Sequence, residues 1–309
     1  MRIATGSAVG PVNPVRRVAL DLRRRWRAAW LSTWGDGLHW KRVPSGFWMR
    51  LSRDDFMDYC YYFHEIDHAF YRDAPRLVRP GESAIDLGAN KGFNAMVLAR
   101  ALGPLGRVLA VEPDPAVAPV LAEHRERNGF PSIQIERVAV GERNGQVEIA
   151  LSKQVGWTSR YPNPLQKRYI SEMVTVPLRT VDSLVAACDP PLGPISFAKV
   201  DIEGSEGAAL AGMRDTLANH GTTLWMEINA TSLAAGGSSP AALDDILLPL
   251  GYRVFPMRWT SIEYFVRPRR IIYTEAKSIA THPGGELWDV LLVSPQYLDR
   301  IAPMLGGGQ

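Results

Sequence analysis

A chain of 309 residues is long enough to bury a full hydrophobic core, so we expect one large domain with an extension. A hydrophobic content of 46% and a charged content of 22% are those of an ordinary globular protein, and the small net charge of +3 says little about partners. Two distant cysteines, Cys60 and Cys188, argue against a disulfide framework, and no apolar run is long enough to span a membrane. The first residues lack the apolar core of a signal peptide, so we expect a cytoplasmic protein.

The first predicted element is a basic helix over residues 14–34, which begins at Asn13 and Pro14, a typical N-cap and first helical residue. Arginines surround an apolar stripe whose members recur at every fourth position: Val18, Leu22, Trp26, Trp30 and Trp34. The pattern fits a helix packed against the rest of the protein or a second subunit. It also fits an interfacial helix on an anionic membrane, which leaves peripheral membrane contact and a homo-oligomer open.

Two short strands around Pro44-Ser45-Gly46 follow, and then a helical segment from about Asp54 to Val78. We predict that residues 1–78 form an N-terminal extension and cap, and that residues 79–305 form the main domain.

From residue 83 onward strands alternate with helices, which predicts an α/β fold built on a mostly parallel, seven-stranded sheet. The predicted strands are residues 83–87, 107–112, 132–140, 195–202, 223–228, 252–256 and 287–293. Strand 132–140 is expected to continue into a hairpin at 146–151, and a less regular insert, residues 152–172, precedes a short strand at 174–178. One helix is expected over residues 205–219.

The segment AIDLGANKGF, residues 84–93, is a strand followed by a glycine turn and an amphipathic helix. This unit binds a nucleotide-like ligand at the carboxyl edge of an open sheet. Gly88 and Gly92 permit a close backbone approach. Asp86 would repel a pyrophosphate but attract an ammonium or sulfonium group. Together with the missing GxGxxG spacing, it favours S-adenosylmethionine over NAD.

Further acidic residues end the next strands. Glu112 closes the second strand at the distance where a carboxylate binds two ribose hydroxyls. In AKVDIEGSEG, residues 198–207, the alternation of a strand places Lys199 and Asp201 on one side, with Glu203 at the turn. Glu227 and Asn229 end the following strand. A structural Lys–Asp pair with helix-capping acids remains the alternative to a catalytic role.

Read in order, these blocks resemble the FkbM family of S-adenosylmethionine-dependent methyltransferases over roughly residues 60–229. The resemblance rests mainly on AIDLGANKGFNAMVLAR and FAKVDIEGSEGAALAG, supported by VLAVEPD, RVAVGERNG, VPLRTVDSLV and LWMEIN. It implies a class I methyltransferase fold, Rossmann-like, and methyl transfer to a hydroxyl of a saccharide, glycolipid or polyketide-type product. Lys91 and Glu123 depart from the usual family residues, away from the expected chemistry.

The resemblance also assigns roles to residues. It implies that Glu112 binds the ribose, that Val138 and Ala139 flank the adenine, and that Asp201 faces the reacting methyl. The residues expected to hold the methionine half of the cofactor are Asp86, Gly88, Ala89, Asn90 and Gly92.

The expected catalytic residues are Asp201, as the first choice of base, with Lys199 and Glu203. Three histidines are rival bases: His39, His64 and His68. We favour a metal-free reaction. A version with Mg²⁺ would use Asp201, Glu227 and Asn229.

Two other functions stay open: a nucleic-acid methyltransferase, prompted by the arginine cluster, and a non-catalytic protein that binds S-adenosylmethionine. No aromatic–acid tetrapeptide of the kind that amino-methylating enzymes use ends strand 195–202, so we expect no nucleic-acid partner.

Overall fold

The computed structural model describes residues 25–27, 29–63, 68–153, 158–164, 166–259, 271–281 and 287–305. The chain divides into two compact units, residues 1–65 (unit 1) and residues 66–309 (unit 2). The boundary predicted near residue 78 lies later in the chain, at the end of a helix that the structure assigns to unit 2. No helix among the described residues is both long and apolar enough to cross a bilayer.

Unit 1 contains the predicted hairpin, with β1 (Leu38–Arg42) antiparallel to β2 (Trp48–Ser52), and helix α1 (Phe56–Phe63). Residues 25–27 and 29–32 are helical, whereas residues 14–24 of the predicted basic helix lie outside the described residues. The buried ring of Trp34 packs edge-on against Tyr62, with centroids 4.9 Å apart, and the ammonium of Lys41 lies over it. Trp34 is therefore a core residue.

Within the helical segment predicted over residues 54–78 the structure describes helix α1 in unit 1 and helix α2 (His68–Leu77) in unit 2, and residues 64–67 between them lie outside the described residues. Phe70 of α2 packs edge-on against Phe197 and Trp225 of the large sheet, with ring centroids 6.0 and 5.2 Å away. This contact ties α2 to unit 2.

Unit 2 is built on an eight-stranded sheet with the order β12-β11-β13-β10-β9-β3-β4-β5. The five strands from β10 to β5 are parallel, and β13 runs antiparallel to β10 and β11. This is the strand order of the class I methyltransferase fold, so that prediction is confirmed; the short β12 adds an eighth strand at the edge. The strands are β3 (Ser83–Leu87), β4 (Arg107–Val111), β5 (Ile133–Glu136), β9 (Ile195–Val200), β10 (Thr223–Asn229), β11 (Arg253–Trp259), β12 (Ile271–Tyr273) and β13 (Leu287–Val293).

The predicted third strand is wrong in its second half. After β5 the chain leaves the large sheet, and β6 (Ala139–Val140) joins β7 (Gly145–Ser152) and β8 (Ile170–Arg179) in a separate three-stranded sheet. The reason is that Ala139 and Val140 pair in parallel with Leu178 and Arg179 of β8.

Helices lie on both faces of the large sheet because its strands are apolar on both sides. On one face, alternate residues such as Ile85 and Val200 form a core with the helices between residues 181 and 247. The opposite face carries Phe197 and Trp225, which lie under α2. The remaining helices are α3 (Phe93–Leu102), α4 (Ala118–Arg127), α5 (Val181–Ala186), α6 (Glu206–Ala211), α7 (Arg214–His220), α8 (Ala230–Ala235), α9 (Pro240–Leu247) and α10 (Leu298–Leu305).

The helix predicted over residues 205–219 is broken into α6 and α7 at Gly212. A Cβ at Gly212 would lie 2.1 Å from the carbonyl oxygen of Gly141, so the two backbones meet closely at this break.

Candidate functional site

The carboxyl ends of β3, β4, β9 and β10 meet at one edge of the sheet and bring the predicted polar residues together. Asp86 lies beside Lys199 in the register of β3 and β9, and Lys199 lies beside Trp225 of β10. Side chains in register share a face. A fully buried carboxylate and a buried lysine thus stand side by side near the middle of the sheet. Such charges are costly unless they are used or compensated.

The turn after β3 is shaped by backbone contacts within the protein. Gly88 adopts a φ of +79°, and a Cβ there would lie 1.9 Å from the carbonyl oxygen of Asp201. Gly92 has a φ of +85° and packs against Leu121. Asn90 is one of two described non-glycine residues with positive φ, at 49°. The fold itself therefore requires these glycines, because the turn has positive φ values and packs closely against the end of β9.

Glu112 follows β4 directly, and both of its carboxylate oxygens accept backbone N–H groups. One accepts from Asn90 at 2.8 Å and the other from Asp114 at 2.9 Å. Burial, with a smaller contribution from the nearby charges of Asp114 and Asp86, raises the pKa of Glu112 to about 7 against the lowering effect of these hydrogen bonds. Each oxygen retains a second lone pair, so the carboxylate can still accept hydroxyl groups.

Val138 and Ala139 are buried where the chain passes from β5 to β6. The backbone N–H of Glu112 donates to the carbonyl of Glu136, which brings the end of β4 next to this passage. The predicted ribose and adenine residues therefore lie at neighbouring strand ends.

The end of β9 carries an ion pair and a group of acids. The ammonium of the buried Lys199 lies 2.8 Å from a carboxylate oxygen of the partly exposed Asp201. Burial, then the charges of Asp201 and Glu206, raise the pKa of Glu203 to about 8, although the Gln166 side chain donates to it. Burial and the charge of Asp201 raise the pKa of Glu227 well above its ordinary value.

Two further carboxyl groups lie in this group. Asp289 is the cross-strand neighbour of Glu227, and burial raises its pKa despite the opposing charge of Lys199. Burial raises the pKa of Glu206 to about 7, while that side chain accepts from the backbone N–H of Gly204. Burial at this strand edge therefore favours the protonated form of these carboxyl groups.

Carboxylate oxygens of Asp201, Glu203 and Glu227 lie within 4.8 Å of one another, a spacing that a divalent cation could bridge. The side chain of Asn229 instead caps helix α8, because it accepts the backbone N–H of Ser232 at 3.0 Å. In the metal-binding alternative Glu203 thus replaces Asn229, the third ligand expected from the sequence, and the alternative itself stays a prediction.

The insert between β7 and β8 supplies site residues that the sequence did not indicate. The hydroxyl of Ser159 donates to the carbonyl of Glu203 at 2.7 Å, and the amide of buried Gln166 donates to its carboxylate at 2.7 Å. Thr158 donates to Asp114 at 2.7 Å, next to Glu112. No hydrophobic periodicity marks these residues, and their partners are distant in sequence.

Of the three rival histidines, His39 is the one whose side chain the structure describes. The ring of His39 is engaged with the carbonyls of Gly35 and Asp36 in unit 1. His64 and the side chain of His68 lie outside the described residues.

The profile of the methyltransferase FkbM domain matches residues 86–254, more than half of the chain. A protein-L-isoaspartate O-methyltransferase of Aeropyrum pernix is 38% identical over 64 residues, covering 21% of this chain and 24% of that protein. The methyltransferase FkbM from Methylobacillus flagellatus KT is similar in structure, with a TM-score of 0.44 at 17% identity, covering 89% of this chain and 60% of that chain. The Aeropyrum pernix fibrillarin, solved with S-adenosyl-L-methionine, has a TM-score of 0.37 at 13% identity, covering 72% of this chain and 75% of that chain. The match thus spans about a quarter of the curated relative and less than two thirds of the Methylobacillus chain.

Proposed function

Because the chain belongs to the FkbM methyltransferase family, we propose that it transfers a methyl group from S-adenosylmethionine to a hydroxyl of a saccharide, glycolipid or polyketide-type acceptor. The observation that carries the proposal is the shared strand edge, where Glu112 and the turn after β3 stand beside the acids that end β9 and β10. The half of this edge around Glu112, which we call the cofactor half, can hold a nucleoside. The half around the acids of β9 and β10, which we call the acceptor half, can take a proton.

The cofactor half fits S-adenosylmethionine by its chemistry. Glu112 would accept the two ribose hydroxyls, and Val138 and Ala139 would flank the adenine. The buried carboxylate of Asp86 would favour the positive end of the methionine part. Asn90 and Gly92 hold the turn in the left-handed conformation that shapes this end. When bound, S-adenosylmethionine supplies an electrophilic methyl group on a positive sulfur.

The acceptor half has to align and deprotonate a hydroxyl. The acceptor oxygen forms a bond to the methyl carbon as the carbon–sulfur bond breaks, and the hydroxyl proton passes to a carboxylate. Asp201 is the proposed base, held in place by Lys199, with Glu203 next to it. A positioned base contributes about 10²- to 10⁴-fold, and alignment of the reacting atoms up to about 7–11 kcal/mol.

The test is methyl transfer from tritium-labelled S-adenosylmethionine to a panel of free sugars, lipid-linked sugars and macrolides. We expect transfer to at least one hydroxyl acceptor, and we expect Asp201→Asn to lower its rate by about 10²- to 10⁴-fold. Calorimetry with S-adenosylmethionine and with NAD is the companion measurement. No heat with the former would refute the proposal, and binding without transfer would leave a non-catalytic protein. Salt-sensitive binding and labelling of oligonucleotides would favour a nucleic-acid substrate.

A further inference from the structure

Exposed tryptophan and phenylalanine side chains are concentrated in unit 1. Among the described residues, every Trp or Phe that is exposed by more than a third lies there: Trp26 (60%), Trp30 (43%), Trp40 (37%), Trp48 (38%) and Phe56 (49%). Single exposed apolar side chains are normal, whereas exposed apolar side chains that cluster on one surface mark a site of interaction. The distribution points to a surface of unit 1 rather than to scattered exposure.

Strand register puts two of these rings on one face of the hairpin. Trp40 lies opposite Arg50, and Arg42 lies opposite Trp48. The other face of the hairpin is turned inward, since Met49 and Leu51 are fully buried. The outer face, which we call the Trp–Arg face, consists of Leu38, Trp40, Arg42, Trp48, Arg50 and Ser52.

Unit 1 as a whole carries a net positive charge, as this face does. Residues 1–65 contain eleven Lys and Arg against six Asp and Glu, whereas the rest of the chain contains 24 against 26. The Trp–Arg face itself has two arginines and no carboxylate. A positive, acid-free face is complementary to a surface of phosphate groups.

We propose that the Trp–Arg face docks unit 1 on the anionic lipid surface of a bilayer. Tryptophan favours the headgroup level because its ring is apolar and its N–H is polar, and each arginine near an anionic leaflet adds attraction. Leu38 adds an aliphatic side chain, which suits the acyl boundary better than a nucleic-acid backbone. A second copy of this face is disfavoured because two such faces would bring arginines against arginines.

The test is sedimentation of the full-length protein with vesicles of phosphatidylglycerol and phosphatidylcholine, compared with phosphatidylcholine alone, at low and high salt. We expect binding to the anionic vesicles that weakens with salt. Replacing both arginines (Arg42→Gln with Arg50→Gln) should weaken it by about 25-fold, at about fivefold per charge. Trp40→Ser with Trp48→Ser should weaken it by about tenfold or more, and this part of the loss should persist at high salt.

Arg143→Gln is the matched control, because it removes one exposed charge from unit 2 and should leave vesicle binding unchanged. Thermal melting of each variant separates lost docking from lost folding. Where the tryptophan pair melts early, Arg42→Gln alone decides the matter, since the exposed guanidinium donates through its Nε to the carbonyl of Gly46 in the adjoining turn, a bond that the fold can lose at small cost. The proposal is wrong if the protein does not sediment with anionic vesicles, or if the folded face variants sediment like the wild type. It is equally wrong if the face variants lose binding only to an oligonucleotide.

Discussion

The two halves of the carboxyl edge are built by different means. On the cofactor side, the backbone N–H groups of Asn90 and Asp114 donate to the Glu112 carboxylate, and a glycine of the turn after β3 fits against the end of β9. On the acceptor side, Glu203 is held by side chains of an insert, with Gln166 lying 37 residues earlier in the chain. Backbone geometry gives one shape to many sequences, whereas side chains from an insert can change from protein to protein. The acceptor side is therefore where we expect specificity to reside.

The largest expected effect breaks the contact between the two halves. Gly88→Ala should lower the free energy of unfolding by about 2–5 kcal/mol, because the new Cβ meets the Asp201 carbonyl at 1.9 Å and the φ is positive. Urea unfolding measures it. Gly103→Ala is the control, with a φ of +69° and a ψ of −171° but open space around the Cβ, and should cost about 1–3 kcal/mol from backbone strain alone. Equal losses would show that the contact contributes nothing.

The next effect tests the cofactor side alone. Glu112→Gln should weaken S-adenosylmethionine binding by about 10- to 100-fold, because charge-assisted hydrogen bonds to the ribose contribute about 1.5–3 kcal/mol. Calorimetry measures the change. The exposed Glu126 provides the control, since Glu126→Gln should leave affinity as it is. Unchanged affinity in Glu112→Gln would remove this residue from the site.

A smaller effect tests the acceptor side by pH. Glu203 has a pKa of about 8 when folded and an ordinary value near 4.5 when unfolded, so the folded state binds its proton more tightly. Its contribution to stability is therefore lost as pH rises from about 4.5 to 8. Urea unfolding at pH 5 and pH 9 should show a smaller loss in Glu203→Gln than in the wild type.

Glu275 is the control for this pH test, because its hydrogen bond to Arg253 holds its pKa below the ordinary value. Glu275→Gln should change stability equally at pH 5 and pH 9. Parallel curves for Glu203→Gln and the wild type would contradict the raised pKa of Glu203.

The smallest expected effect is none at all. Methyl transfer should survive EDTA unchanged, because we propose that a carboxylate takes the proton without a metal. If EDTA abolishes transfer and Mg²⁺ restores it, the ligands to replace are Asp201, Glu203 and Glu227. The acceptor half would then be a metal site rather than a proton-accepting one.

The parts of the molecule that were predictable from sequence are those that depend on residues close together in the chain. Strands β3 and β10 were found at or within one residue of their predicted bounds, because apolar runs ending in polar residues mark buried parallel strands. The split of the predicted third strand was missed, because Ala139 and Val140 are as apolar as a strand of the large sheet. Their pairing with β8 depends on residues that lie far ahead in the chain.

The sequence by itself determined the strands of the cofactor side and the candidates Asp86, Glu112 and Asp201, since each candidate lies at or next to the end of a predicted strand. Only the tertiary structure decided that Gln166 and Ser159 hold Glu203, and that Trp34 is buried while Trp40 and Trp48 face outward. The physical reason is the distance along the chain over which each effect acts. Propensity and periodicity act over a few residues, whereas burial, hydrogen-bond partners and pKa values depend on what folding brings from elsewhere in the chain.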